Sequence, residues 1–276
     1  MPSDPVVHRR RMTLAAAGPR LDAVSIEPAA GRASGALPLV FLHEGLGSIA
    51  QWTARGGDVP ARLVAATGCP ALVYERQGYA GSDPLTAPRA PRYLYDEAWQ
   101  VLPRVLDEAG IGSCIPIGHS DGASIALLFA ARFPGRTAGL VSEAAHVVVE
   151  AITLAGIRTA VALFEASDGK LRTALSRYHG ERTEAVFRSW ADAWLSPGFA
   201  GFDMTGELAR VTAPVFALQG ETDEYGSPRQ LELIADGVGG PAETWLVPDC
   251  GHVPHHQAAD RVLPRLAAFV GKALDR

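Results

Sequence analysis

The stretch "PIGHSDGASIAL", residues 116–127, decides how the chain is read. An apolar run over 113–119 ends in Gly118-His119-Ser120-Asp121-Gly122, and a helical pattern of small residues follows at once. A short, continuous apolar run is what a strand buried on both faces looks like. Ser120 therefore sits at a strand-to-helix turn, between two glycines that give a tight turn the room it needs. G-x-S-x-G in this setting reads as a nucleophile elbow, which lifts a serine out of the sheet at the start of the next helix. The amides at that helix end point to the same place and favour negative charge there. Ala123 and Ala126 let the helix lie close to the sheet. Taken alone, the pentapeptide also fits an ordinary glycine-rich turn.

Working outward, strand-like runs at 37–44, 71–77, 113–119, 137–145, 213–220 and 242–248 alternate with helical patterns at 58–68, 94–110, 121–133, 227–237 and 255–274. Apolar strands joined by helices predict an α/β fold with a mostly parallel central sheet covered by helices on both faces. Pro103 and Pro264 fall inside helical stretches and predict kinks or earlier starts there. The first 30 residues fit two antiparallel edge strands. Between 149 and 206 the pattern is helical, with no convincing strand, and Phe187, Trp190 and Trp194 share one helical face. This all-helical insertion reads as a cap (149–206) on a core made of 1–148 and 207–276. It would sit where the strands' carboxyl ends gather, which is where open α/β sheets bind ligands.

With 276 residues, 47% of them hydrophobic, the chain can bury a large core. A net charge of −5 argues against a nucleic-acid partner, which would call for a basic face. No run approaches the roughly 18 apolar residues of a membrane span, so no membrane partner is expected. The apolar segment near the N-terminus is shorter than an export signal needs. Cys69, Cys114 and Cys250 show no metal-like spacing and read as free thiols of a reducing, cytoplasmic compartment, Cys114 as a buried strand residue.

A nucleophilic serine needs a base, and the base an orienting acid, in the chain order Ser, Asp or Glu, His. Asp223 follows one late strand and His252 the last one, so both belong at the edge of the sheet that carries Ser120. Glu143, at the end of the strand after the nucleophile helix, is a second possible acid, while Glu221 and Glu224 neighbour Asp223. Of the other histidines, His43 and His119 flank site loops, His255 and His256 begin the last helix, and His8 and His179 read as surface residues. An oxyanion hole would take the backbone amide of Asp121 and one from the loop after 37–43: Gly45, with Leu46 as the alternative. His146, Trp190, Trp194 and Tyr225 are candidates for contact with a small-molecule substrate, with simple packing as the other reading of the tryptophans. No metal or organic cofactor is implied.

Together, "LPLVFLHEGLGSIAQW" (37–52), "VYERQGYAGSDP" (73–84), "PIGHSDG" (116–122) and "CGH" (250–252) resemble the α/β-hydrolase fold family, from about Leu37 to the C-terminus. Glu44 departs from the glycine more usual at its position, Glu75-Arg76, Gly78 and Ser82 match the family's arginine-glycine loop, and the helical insertion corresponds to its variable cap. The resemblance implies a serine hydrolase. The nucleophile position holds Ser120, not the aspartate of epoxide hydrolases and haloalkane dehalogenases, and the G-H-S elbow differs from the G-N-S more frequent in meta-cleavage-product hydrolases. The leading expectation is hydrolysis of a small carboxylic ester through an acyl-enzyme. The alternatives are carbon–carbon bond hydrolysis, with Arg76 or Arg158 holding a substrate carboxylate, and a non-catalytic ligand receptor on the same scaffold.

Overall fold

The computed structural model describes residues 6–15, 18–53 and 57–275. Its eight strands are β1 (Val7–Leu14), β2 (Leu21–Pro28), β3 (Leu39–Leu42), β4 (Ala71–Tyr74), β5 (Ile115–His119), β6 (Leu140–Glu143), β7 (Val215–Gly220) and β8 (Ala242–Val247). They form one sheet in the order β1-β2-β4-β3-β5-β6-β7-β8. The two N-terminal strands pair antiparallel with each other, and β2 pairs antiparallel with β4. Every later pairing is parallel. The apolar runs are completely buried in β3, β4, β5, β6 and β7, and β5, which leads into Ser120, lies in the middle of the sheet.

Alternating residues of each strand feed two separate cores. Val40 and Leu42 of β3 and Val215 and Ala217 of β7 belong to one, and Leu39, Phe41, Phe216 and Leu218 to the other. The helices in chain order are α1 (Ile49–Thr53), α2 (Val59–Thr67), α3 (Tyr93–Asp96), α4 (Leu102–Glu108), α5 (Asp121–Arg132), α6 (Ala151–Glu165), α7 (Lys170–His179), α8 (Thr183–Leu195), α9 (Thr205–Leu208), α10 (Arg229–Gly237), α11 (Pro254–Gln257) and α12 (Ala259–Leu274). The apolar faces of α2 and α12 close one side of the sheet, and those of α4, α5 and α10 the other. Every residue of α5 from Asp121 to Ala131 is buried, which is why its sequence is so rich in small and apolar side chains.

Strand ends are shorter than the apolar runs suggested, because the flanking residues turn out into loops. The helical stretch 94–110 is broken by a wide π-helical turn at Glu97–Val101, just before Pro103 at the start of α4; proline cannot donate the amide that a continuous α-helix needs there. The last helical stretch also splits, at Ala258, into α11 and α12, while Pro264 is accommodated inside α12. Helices α6, α7 and α8 fall between β6 and β7 in the chain. The segment entering them is bridged to the segment leaving them: Val148 pairs antiparallel with Asp203, and the Met204 amide donates to the Val147 carbonyl at 2.9 Å. Cys69, Cys114 and Cys250 are free and buried. Among the described residues, no helix is long and apolar enough to cross a membrane.

Candidate active site

The elbow is a strained turn with its reason visible in the backbone. Ser120 has φ 53° and ψ −116°, a conformation that side-chain-bearing residues rarely adopt and that costs on the order of 1–3 kcal/mol. A Cβ on Gly122 would lie 2.0 Å from the Leu42 carbonyl oxygen, and one on Gly118 would lie 2.2 Å from the Gly122 carbonyl oxygen. The two glycines thus let α5 start directly against β3 and β5. The Ser120 amide donates to the Glu143 carbonyl at 2.8 Å, which pins the turn to β6.

From this position Ser120 Oγ lies 3.0 Å from His252 Nε2. On its other side, His252 Nδ1 lies 2.9 and 3.0 Å from the two carboxylate oxygens of Asp223. All three side chains are buried, 6–8% exposed, although they come from loops 132 and 29 residues apart. The last two loops are tied together: the Glu221 amide donates to Val247 and the Thr222 amide to Cys250, at 2.9 and 2.8 Å. Burial alone would lower the His252 pKa, but the Asp223 charge and hydrogen bond, with Glu44 and Glu224 nearby, raise it to about 9. Burial works the other way on Asp223, yet the His252 attraction and hydrogen bond and the Tyr225 amide hold its carboxyl below the ordinary value.

The loop after β3 is held by its carbonyls. Arg76 Nη2 donates to Glu44 O at 2.8 Å, Tyr79 Oη to Gly45 O at 2.8 Å, and His179 Nε2 to Leu46 O at 2.9 Å. Gly45, Leu46 and Asp121 line the same cavity as Ser120. His179 is therefore not the surface residue expected from the sequence: it is 4% exposed at the end of α7 and ties the insertion to this loop. His8 is exposed, as expected. Arg76 is also buried, 3.6 Å from Asp121, whose other close partner is the Tyr93 hydroxyl at 2.6 Å. Trp194 Nε1 donates in turn to Tyr93 Oη at 2.8 Å, so a hydrogen-bonded chain runs from α8 to the elbow.

Glu143, the second candidate acid, does not meet His252. Its Oε1 accepts from both the backbone amide and Nδ1 of His255, at 2.8 and 2.9 Å. Burial raises the Glu143 pKa and pushes the neighbouring imidazoles of His119 and His255 down to about 3. His119 Nε2 donates to the His252 carbonyl at 2.7 Å and steadies the loop that carries the imidazole. His119, Glu143 and His255 could bring three ligand atoms within 4.8 Å of one another; His255 is bonded to Glu143 and stacked on Trp52, and His119 is bonded to the His252 carbonyl and lies 3.6 Å from Glu44. His43 receives the Arg76 amide on Nε2 at 3.1 Å and is neutral for the same reason of burial.

A cavity of about 50 Å³ opens over Ser120. His146, Trp190, Trp194 and Tyr225, the four side chains singled out as substrate contacts, all line it. Thr153 and Ile157 of α6 line it too; nothing in their sequence setting marked them. Phe187, on the same helical face as the tryptophans, turns instead onto Phe164, ring centroids 3.8 Å apart. Glu44 is the lining residue of greatest chemical weight among those left without a role, and the only sequence signal for it was its departure from glycine.

Similarities to known proteins agree with this architecture. The chain superposes on a proline iminopeptidase from Mycobacterium smegmatis with TM-score 0.69 at 19% identity, covering 96% of this chain and 99% of that one. It is similar to the 2-hydroxy-6-oxo-6-phenylhexa-2,4-dienoate hydrolase of Rhodococcus sp. strain RHA1, with TM-score 0.75 at 12% identity over 95% and 99% of the two chains. It is also similar to naproxen esterase from Bacillus subtilis, with TM-score 0.67 at 19% identity over 95% and 92%. Identities this low speak for the shared fold alone. No curated protein matches the sequence. The sequence model described as "Alpha/beta hydrolase family" matches residues 39–265, from the first parallel strand through the loop bearing His252 and into α12, and the chain belongs to that family.

Proposed function

We propose that the protein is a serine hydrolase that cleaves an ester of a small carboxylic acid through an acyl-enzyme. The observation that carries this reading is the hydrogen-bonded series Ser120 Oγ, His252 Nε2, His252 Nδ1, Asp223 at the floor of a cavity. Neutral His252 takes the Ser120 proton as Oγ attacks the substrate carbonyl, and Asp223 stabilises the imidazolium that forms. The amides of Asp121 and Gly45, with Leu46 adjacent, face the developing oxyanion; each such donor contributes about 10²–10³ in rate. The imidazolium then protonates the leaving alcohol. In the second half, His252 removes a proton from water, which attacks the acyl carbonyl, and the proton returns to Ser120 as the acid leaves.

The cavity supports a small acyl group, since ligand pockets for larger molecules run to about 300–1,000 Å³. It disfavours the carbon–carbon reading: among the described residues, none of those lining it is Lys or Arg. Arg158 is exposed on α6, and Arg76 is taken up by Glu44, His43 and Asp121, so a dienoate carboxylate finds no cation. The reading is tested with p-nitrophenyl acetate, butyrate and octanoate beside a ring-cleavage dienoate. We expect kcat/KM to fall at least tenfold from acetate to octanoate and the dienoate to persist unchanged. Dienoate turnover faster than that of every ester would reverse the assignment.

A further inference from the structure

Glu44 places a carboxylate in the wall of the cavity beside the nucleophile, in a position the hydrolytic steps above do not use. One of its oxygens lies within 4.8 Å of a ring nitrogen of His119 and of a ring nitrogen of His252. The His119 contact, 3.6 Å from Nδ1, does not neutralise it, because burial keeps that imidazole uncharged down to a pH of about 3. The other charged lining groups are already matched: Asp121 by Tyr93 and Arg76, and His252 by Asp223. At pH 7 most His252 rings, with a pKa of about 9 that Glu44 helps to raise, are charged and face the same carboxylate. In the neutral, reactive form no cation remains among the described lining residues, and Glu44 is then open to a substrate cation. Around the same space stand the rings of Trp190, Trp194 and Tyr225, with the Trp190 indole lying on the Gly45 backbone and 6.5 Å from the Tyr225 ring. Aromatic faces carry negative potential and attract ammonium groups, the more so out of water. A carboxylate and three aromatic rings around a space this small form a receptor for a compact cation and repel an anion.

We propose that the site selects acyl groups bearing a protonated amine, so that its substrates are esters or amides of small amino acids, with the ammonium paired to Glu44. This rests on the serine hydrolase reading and narrows it. Three esters of matched shape separate the charge from the size: alanine ethyl ester (cationic at pH 7), ethyl isobutyrate (neutral) and monoethyl methylmalonate (anionic). Hydrolysis is followed by pH-stat with wild type, Glu44→Gln and Glu44→Asp. With each rate divided by that of the same ester in hydroxide alone, which an α-ammonium raises and an α-carboxylate lowers, the wild type is expected to prefer cation to neutral ester, and neutral to anion, by about tenfold at each step, the scale of one close charge contact. Glu44→Gln is expected to lower the cation-to-neutral ratio by about tenfold, and Glu44→Asp to keep most of it. The ratio cancels any general effect of the substitution on His252 or on folding. Equal ratios in wild type and Glu44→Gln, or a wild-type preference for the anion, would overturn the assignment while leaving the hydrolase reading intact. If none of the three is hydrolysed and Ser120 does not react with a fluorophosphonate, the hydrolase reading fails and this inference with it.

Discussion

Ser120→Ala is expected to lower kcat/KM for any ester the protein hydrolyses by a factor on the order of 10⁵–10⁶, as loss of the nucleophile does when the base and acid act through it. The residual rate belongs to the oxyanion amides and to binding. The substitution removes only Oγ, whose bond in the structure is to His252 Nε2, and the alanine inherits the same backbone turn, held by the Glu143 carbonyl and the two glycines. The circular dichroism spectrum and melting temperature should therefore stay near those of wild type. Steady-state rates on p-nitrophenyl acetate check the kinetic half; a variant as active as wild type would remove Ser120 from the chemistry.

Asp223→Asn should cost about 10⁴ in kcat/KM, because an amide can neither stabilise the imidazolium nor hold the correct tautomer. It should also move the pH profile, which a purely structural defect would not do. His252 must be neutral to act as base, and its pKa in the folded protein is about 9. Wild-type kcat/KM should accordingly rise about tenfold per pH unit through neutrality and level off near pH 9. Without the Asp223 charge and hydrogen bond, the largest influences raising that pKa, the acid limb should shift to lower pH. A variant whose limb stays at pH 9 would show that Asp223 does not set the charge on His252.

Much of this was legible in the sequence because the features are local. Five fully buried strands announce themselves as apolar runs, and the elbow is a pentapeptide whose glycines answer to specific backbone contacts, with Leu42 and with Gly122 itself. Asp223 and His252 were legible for a topological reason: strands running parallel deliver the loops that follow them to one edge. What escaped depends on packing across distant segments. His179, polar and near the end of an exposed-looking helix, is buried with its Nε2 donating to the carbonyl of Leu46, 133 residues away. Glu143 ends a strand next to Ser120, as an acid partner would, yet its side chain goes to His255. Within α8, Phe187 and Trp190 share a face, and only the presence of Phe164 on α6 divides them into packing and lining residues.

The proposed chemistry is tested most directly by intact-protein and peptide mass spectrometry after treatment with a fluorophosphonate at pH 8–9. The account predicts one adduct per chain on the peptide containing Ser120, formed fast in wild type and far more slowly in His252→Ala. An unmodified chain, or an adduct on another residue with Ser120 intact, would contradict it.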